Sequence, residues 1–258
     1  MEQDAILVDQ EDGCLTITLN RPDRMNAWDM AMRGKLVQAL DLASRDASVT
    51  SVVLTGSGER AFCAGQDLNE VTDFDEDFAE AWIDDFAKLY RTVRSLEIPV
   101  VSAINGVAAG SAFQFVLLTD IRIGHAGVRL GQPEINSGIV SITGPWIMRE
   151  VLGLSRTLEL TLTGRLMDAD EALRLGVLHE IVEREHVLER ARQVAGELGA
   201  KPRTAMKLIK QRFFEVLEPG LEEAVAAAKR YHRKSFASGE MHRSTRAFLD
   251  ARGGRKSD

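Results

Sequence analysis

Short apolar segments of strand type alternate with amphipathic segments of helical period along the first half of the chain. Strands are predicted at Ser51–Thr55 and Val100–Ile104, where short buried-type runs end at glycine-containing turns. Helices are predicted at residues 29–45 and 76–96, where apolar residues recur three and four positions apart. Alternation of strand-type and helix-type segments, with tight turns between them, favours an α/β architecture over an all-helical or sandwich fold.

The N-terminal and C-terminal parts of the chain differ in the secondary structure that their sequences predict. At the N-terminal end, Ala5–Asp9 and Cys14–Leu19 flank Asp12-Gly13, which predicts a β-hairpin. A helix at Ser111–Leu118 and a strand at Asp120–Gly124 follow in the middle of the chain. From about residue 144 the pattern is helical, apart from one strand near 178–182. Helices are expected at 144–152, 155–163, 168–175, 184–199, 202–217, 219–237 and 242–251. We therefore predict an α/β core over residues 1–200 and a helical region over residues 201–258.

Composition narrows the class of protein. The 258 residues carry a net charge of −7, which disfavours general affinity for nucleic acid or for membrane surfaces. The sequence has no apolar run long enough to span a bilayer. Its acidic N-terminal segment lacks the sequence features of a secretory signal or a transit peptide. Cys14 and Cys63 are too few for a disulfide framework or a metal site. We expect a reduced, cytoplasmic protein without a metal.

Charge is unevenly distributed. Residues 201–258 hold 14 Lys and Arg against 7 Asp and Glu, although the whole chain is acidic. A solvated helical surface explains this excess, and that interpretation is favoured. The alternative is that the basic region helps to hold a polyanionic ligand, such as the phosphates of a nucleotide.

Small residues directly follow predicted strands in two segments. Ala64-Gly65 follows the strand at Ser51–Thr55, and Gly110-Ser111 follows the strand at Val100–Ile104. Small residues let a ligand approach the main chain, so that free N–H groups can point at a developing negative charge. A third segment, Gly131-Gln132-Pro133-Glu134, places a carboxylate beside a rigid proline. Each of these features also has an ordinary explanation as tight packing. Neither glycine segment is a P-loop or a dinucleotide fingerprint.

Taken in order along the chain, several longer motifs resemble the enoyl-CoA hydratase/isomerase (crotonase) family. The motifs are NRPDRMNAWD (20–29), AFCAGQDL (61–68), VVSAINGVAAGSA (100–112), RLGQPEINSGI (129–139), GRLMDADEALRLGVLHEIV (164–182) and RAFLDAR (246–252). The resemblance implies a spiral of ββα turns and a C-terminal helical region used for trimerisation, in a trimer or a dimer of trimers. It also implies an acyl-CoA substrate, and no cofactor beyond the coenzyme A moiety of that substrate.

Site residues follow from the same resemblance. In the family, two peptide N–H groups hold the thioester oxygen. By position these groups belong to Gln66 and Ser111, and Ala64, Gly65 and Gly110 are expected beside the ligand. Arg24 matches a basic residue near the coenzyme A phosphates.

The catalytic carboxylates are where this chain departs from the family. Hydratases of the family use two glutamates that share a water molecule. The second of them matches Glu134, whereas the first matches Gln114. A glutamine holds water but cannot transfer a proton at neutral pH. One carboxylate suffices for a 1,3-proton shift, in which Glu134 removes the α-proton of an enoyl-CoA and returns it at the γ-carbon.

Other functions stay open on the sequence. Hydration remains possible, and so does hydrolysis in which Gln114 positions a water molecule for Glu134. A different class is a catalytically silent acyl-CoA-binding protein, which the intact Glu134 disfavours. Residues 139–144 replace the family's usual glycine- and proline-rich stretch, so an unusual acyl group is expected.

Several conspicuous side chains have ordinary interpretations. Residues Trp82, Phe86, Leu89 and Tyr90 share helical spacing and either line an acyl tunnel or pack in the core. Cys63 is interpreted as a small buried apolar residue. The histidines show no metal-ligand spacing, and each is interpreted as a surface or packing residue.

Overall fold

The computed structural model describes residues 4–71 and 76–253. Its strands are β1 Ile6–Glu11, β2 Cys14–Leu19, β3 Ser51–Gly56, β4 Ala61–Cys63, β5 Val100–Ile104, β6 Val107–Ala109, β7 Ile121–Gly124, β8 Arg129–Gly131, β9 Leu166–Met167 and β10 Glu180–Ile181. Its α-helices are α1 Met30–Arg45, α2 Leu68–Val71, α3 Glu76–Ser95, α4 Ser111–Leu117, α5 Thr143–Thr163, α6 Ala169–Arg174, α7 Val187–Gly199, α8 Arg203–Ala237 and α9 Glu240–Gly253. Short 3-10 turns occur at Pro22–Arg24, Glu134–Ser137 and Arg184–His186.

A six-stranded sheet in the order β1-β2-β3-β5-β7-β10 forms the base of the fold. β1 and β2 are antiparallel, and the remaining neighbours pair in parallel. The predicted hairpin is confirmed: Glu11 pairs with Cys14, and the turn residues Asp12 and Gly13 have φ values of 48° and 79°. The predicted strand Val100–Ile104 is confirmed at both ends.

A second sheet, in the order β4-β6-β8-β9, lies along the turns that follow the strands of the first. Along the chain β3 leads to β4, β5 to β6 and β7 to β8, so each of these steps passes from the large sheet to the small one. The β5-β6 pair is followed directly by α4. The expected spiral of ββα turns is therefore confirmed.

Sequence patterns did not predict the strands of this small sheet. Each has two or three residues, which is too short for alternation of apolar and polar side chains to be recognised. Pairing between β4 and β6, and between β6 and β8, brings the segments that follow these strands side by side.

Helices cover both faces of the large sheet. α1 begins after Asp29, whose carboxylate accepts a hydrogen bond from Met32 N at 2.8 Å, as expected for an N-cap. The helices α1 and α3 contribute their apolar faces to the main core, whereas α7 packs its alanine-rich face on the opposite side of the sheet.

One predicted helix pair is divided by a kink in the structure, and another is continuous. Residues 144–152 and 155–163 form α5, which is broken at Gly153 (φ 71°, ψ 166°) in a conformation nearly restricted to glycine. Residues 202–217 and 219–237 form the single helix α8, so the predicted interruption at Pro219 was wrong. Pro219 and Glu215 are both exposed, and water can therefore solvate the carbonyl group that loses its helical donor.

The C-terminal helices pack on the helices of the core. α8 lies along α3 and α5, and α9 contacts the turn at Glu134–Ser137. Basic side chains of α8 pair with acidic side chains of α3: Lys229 lies 2.6 Å from Asp84, and Arg233 pairs with Glu80. Part of the basic charge of α8 is therefore balanced by acidic side chains of α3.

Within the described ranges, no helix is long and apolar enough to cross a membrane. The same residues contain no group of three or more His, Cys, Asp or Glu side chains placed to hold a metal ion.

Candidate active site

A cavity of about 360 Å³ lies between the small sheet, α3, the start of α5 and the C-terminal helices. Its wall is mostly apolar, with polar groups concentrated at the ends of the small-sheet strands. The lining residues are Met25, Ala64, Gln66, Leu68, Trp82, Ile83, Phe86, Tyr90, Val107, Ala109, Gly110, Ser111, Gln114, Pro133, Glu134, Asn136, Ser137, Ile139, Val140, Ser141, Ile142, Thr143, Gly144, Gly164, Leu166, His232 and Phe248. Among these described residues, Glu134 carries the sole carboxylate.

Two loops meet on one wall of the cavity. We call Ala64–Asp67 the first loop and Ala109–Ser111 the second loop. Gly65 has φ 92°, and a Cβ added there would lie 2.6 Å from Ala109 O and 3.5 Å from Ser111 N. The two main chains therefore touch, at a distance that only glycine allows.

Free amide donors lie in both loops. Trp28 pairs with the first loop on either side of Gln66, because Trp28 N donates to Gly65 O and Asp67 N donates to Trp28 O, each at 3.0 Å. Ser111 begins α4, where helical geometry supplies no acceptor for its N–H. Neither Gln66 N nor Ser111 N donates to any residue within the described ranges. These N–H groups are thus available to a ligand oxygen.

Glu134 lies beside the second loop. Its Oε1 accepts hydrogen bonds from Gln132 Nε2 at 2.7 Å and from Gln114 Nε2 at 3.1 Å. Its Oε2 is buried and has no hydrogen-bond partner among the described residues. A Cβ on Gly110, whose φ is 60°, would lie 3.1 Å from Oε1, so glycine favours this close approach. Burial raises the pKa of Glu134 to about 8, and the hydrogen bond from Gln114 opposes that rise.

Gln114 has a fixed orientation. Tyr90 donates its hydroxyl proton to Gln114 Oε1 at 2.7 Å, and the amide nitrogen of Gln114 donates to Glu134. Both the oxygen and the nitrogen of the Gln114 amide therefore form hydrogen bonds within the protein. Gln114 and Glu134 meet in the cavity, where Gln114 is a hydrogen-bond donor to the carboxylate.

Aromatic side chains of α3 form part of the wall. Trp82, Phe86 and Tyr90 line the cavity, whereas Leu89 is fully buried outside the lining. His232 of α8 also lines it, with its ring centroid 5.2 Å from that of Trp82. Burial lowers the pKa of His232 to about 4, which keeps the ring neutral near neutral pH. His232 and Phe248 were not predicted at the site, because residues more than 90 positions from Glu134 carry no local signal of contact with it.

Arg24 and Cys63 lie outside the cavity lining. The Arg24 side chain is 55% exposed and lies 3.9 Å from Asp67, next to Met25 of the lining. Cys63 is fully buried, and that burial raises the pKa of its thiol to about 12. Such a thiol is not reactive at neutral pH, in agreement with its interpretation as a small apolar residue.

Comparison with known proteins places this geometry in a family. A sequence model described as Enoyl-CoA hydratase/isomerase matches residues 9–255. The chain belongs to this family. As a member of the enoyl-CoA hydratase/isomerase family, it is an enzyme that acts on acyl-CoA, either as a hydratase or as an isomerase.

Individual relatives cover nearly the whole chain. A short-chain-enoyl-CoA hydratase from Clostridium acetobutylicum is 28% identical over 253 residues, which are 98% of this chain and 97% of the relative. A 1,2-epoxyphenylacetyl-CoA isomerase from Escherichia coli (strain K12) is 31% identical over 252 residues, covering 96% of each protein. The crystal structure of an enoyl-CoA hydratase/isomerase from Mycobacterium paratuberculosis superposes with a TM-score of 0.87 at 26% identity, over 94% of this chain and 98% of that one.

Contact between the two loops predicts the effect of Gly65→Ala. The new methyl group meets Ala109 O and forces the loops apart, so we expect the affinity for acetoacetyl-CoA, measured by calorimetry, to fall about tenfold or more. Gly58→Ala is the matched control, because Gly58 also has a left-handed φ (76°) but lies outside the cavity lining. It should lower thermal stability and leave the affinity unchanged. Equal affinities of the two variants for acetoacetyl-CoA would contradict the assignment of the two loops to the ligand-binding site.

Proposed function

We propose that the chain isomerises the double bond of an enoyl-CoA by a 1,3-proton shift, with Glu134 as the single acid and base. One observation carries this proposal. Glu134 Oε1 accepts hydrogen bonds from two amides, and Oε2 has no hydrogen-bond partner among the described residues. The position that matches the first glutamate of the family holds Gln114, whose side chain is an amide. Oε2 is therefore the oxygen that exchanges the proton.

The thioester oxygen would lie between the N–H groups of Gln66 and Ser111. Glu134 Oε2 removes the α-proton of a 3-enoyl thioester, and the electrons of that C–H bond pass into an enolate held by the two N–H groups. The protonated carboxyl then returns its proton to the γ-carbon, which restores the thioester carbonyl and leaves a 2-enoyl thioester. Loss of one such N–H donor typically costs about 3 kcal/mol of transition-state stabilisation.

The raised pKa of Glu134 suits both halves of this reaction. A carboxylate with its ordinary pKa would be a weak base toward a thioester α-proton. Burial raises the pKa to about 8, close to the range in which a group both takes and returns a proton efficiently. The hydrogen bond from Gln114 stabilises the charged form of the carboxyl group and limits this rise in its pKa.

Glu134→Gln tests this role. Because the other polar side chains that line the described cavity include no carboxylate, isomerisation of a 3-enoyl-CoA should fall by more than about 10⁴-fold, with acetoacetyl-CoA affinity nearly unchanged. In the unsubstituted enzyme the base must be deprotonated, so kcat/KM should rise with pH through about 8 and then level off. A flat pH profile from 6 to 9, or substantial turnover by the variant, would rule out Glu134 as the base.

Gln114→Glu tests whether the missing carboxylate separates isomerisation from hydration. A second carboxyl group could share a water molecule with Glu134, so hydration of crotonyl-CoA should increase relative to isomerisation. The two carboxylates would repel each other, and one of them should titrate at a raised pKa, which shifts the pH optimum upward. If the unsubstituted protein already hydrates crotonyl-CoA rapidly and the variant adds nothing, the preference for isomerisation is wrong.

The same assays separate the other candidate functions. Hydrolysis of the thioester would release free coenzyme A, which a thiol reagent detects. A catalytically silent binding protein would bind acetoacetyl-CoA and convert none of the substrates.

We also propose that Arg24 contacts coenzyme A phosphates. Its exposed position beside the Met25 end of the cavity supports this role, since an exposed guanidinium is free to form charge-assisted hydrogen bonds with phosphate.

Assembly is a further part of the proposal, in which residues 201–258 form the trimerisation region of a trimer or a dimer of trimers. Large apolar side chains are exposed along α5 and α8, namely Leu154, Leu158, Leu162, Leu208, Ile209, Phe213 and Val216. Phe236, in contrast, is buried within the chain, and Phe248 lines the cavity, so neither belongs to this exposed set.

These exposed faces predict an interface of more than about 1,200 Å² of total buried surface. Light scattering at micromolar concentration should give three or six times the mass of one chain, and Phe213→Glu should shift the distribution toward smaller species. A stable monomer in the unsubstituted protein would contradict the proposal.

A further inference from the structure

A guanidinium group is buried directly behind the first loop. Arg33 lies on α1, and its side chain is 0% exposed. Its Nη1 donates to Gln66 Oε1 at 2.7 Å, and its Nε pairs with Asp85 Oδ2 at 2.5 Å. The sequence signal for it was a charged residue within the apolar stripe of α1, beside Met32 and Leu36.

Gln66 is held through its whole side chain. Its Oε1 accepts from Arg33 and also from Trp82 Nε1 at 3.0 Å. Its Nε2 donates to Glu70 Oε2 at 2.6 Å. Together with the main-chain bonds from Trp28, these contacts fix the peptide plane of Gln66, and hence the direction of its free N–H.

Arg33 also places a positive charge behind the cavity wall that the first loop forms. Its guanidinium lies over the Phe86 ring, 4.2 Å from the centroid, and Nη2 has no hydrogen-bond partner among the described residues. Burial raises the pKa of Cys63 and of Tyr90, and the positive charge of Arg33 opposes both rises. Cys63 Sγ accepts from Gly65 N, and Tyr90 OH lies 3.3 Å from Ser111 O, so the two groups whose pKa Arg33 affects contact both loops.

Stability alone does not account for this arrangement. Apolar side chains of similar size often replace a buried ion pair with no loss of stability, because removing the two charges from water carries a large desolvation cost that their attraction must first offset. A buried arginine with one unpartnered nitrogen is therefore better explained by what it does to its neighbours.

We infer that Arg33 is a positioning residue for enolate stabilisation, which aims the N–H of Gln66 at the thioester oxygen and places a positive charge behind it. This inference rests on the proposed role of Gln66 in the reaction. It predicts that Arg33 favours a ligand with a charged oxygen over a ligand with a neutral carbonyl oxygen.

The test compares two ligands of the intact protein. We expect acetoacetyl-CoA to bind as its enolate, whose absorption band is measured directly, whereas butyryl-CoA reports the binding of a neutral thioester. In Arg33→Met we expect the affinity for acetoacetyl-CoA to fall about tenfold or more and that for butyryl-CoA to change less than about threefold. Isomerase kcat should fall with KM nearly unchanged. Arg33→Lys, which keeps a charge and a donor, should recover part of the enolate preference.

Arg94 supplies a matched control within the same chain. Its side chain is 5% exposed, it pairs with Glu218 at 2.9 Å, and its guanidinium lies 5.2 Å from the centroid of the Phe214 ring. It thus repeats the burial, the ion pair and the ring contact of Arg33 without lining the cavity or contacting the first loop. Arg94→Met should lower thermal stability and leave the ratio of the two affinities unchanged.

Each outcome separates the inference from the proposed function. If both ligands weaken equally in Arg33→Met, or if its affinity ratio matches that of Arg94→Met, Arg33 is merely structural and the inference is wrong. If Arg33→Met does not fold, Asp85→Asn removes the partner that orients Arg33, and an unchanged affinity ratio in that variant overturns the inference. If the unsubstituted protein shows no preference for the enolate, the proposed function itself fails.

Discussion

Main-chain pairing between β4, β6 and β8 is the constraint on which the site depends. Val107 of β6 pairs with Ala61 on one side and with Arg129 on the other, and the pairing of β4 with β6 shifts by one residue between Ala61 and Cys63. Because each strand is followed at once by a loop, this register sets Gln66, Ser111 and Glu134 around one cavity. A shift of one residue would turn every following side chain to the opposite face.

Burial then gives the carboxylate its chemistry. Glu134 is desolvated between the second loop and two glutamine side chains, and the loss of hydration raises its pKa to about 8. The same exclusion of water strengthens hydrogen bonds from peptide N–H groups to a developing negative charge. Burial therefore acts both on the proposed proton carrier and on the N–H groups proposed to hold the enolate oxygen.

Helix α3 links the site to the rest of the molecule. Along one face it presents Trp82, Phe86 and Tyr90 to the cavity, and on a neighbouring position Asp85 pairs with Arg33 of α1. Its outer surface pairs with α8, through Asp84 and Lys229 for example. The C-terminal helices are thus part of the cavity wall, and His232 and Phe248 complete it.

By itself the sequence determined the α/β class, the hairpin, the strands of the large sheet and the family, because these depend on periodicity, turn residues and motifs that lie within short stretches of chain. It also placed Gln114 and Glu134 together, through the resemblance of their surrounding motifs. The tertiary structure alone decided that Tyr90 fixes the amide of Gln114, that Arg33 lies behind Gln66, and that α8 continues through Pro219. A strand of three residues is too short to produce a recognisable pattern of apolar residues, and a contact between distant helices produces none. Both are stabilised by packing against parts of the chain that are far away in sequence.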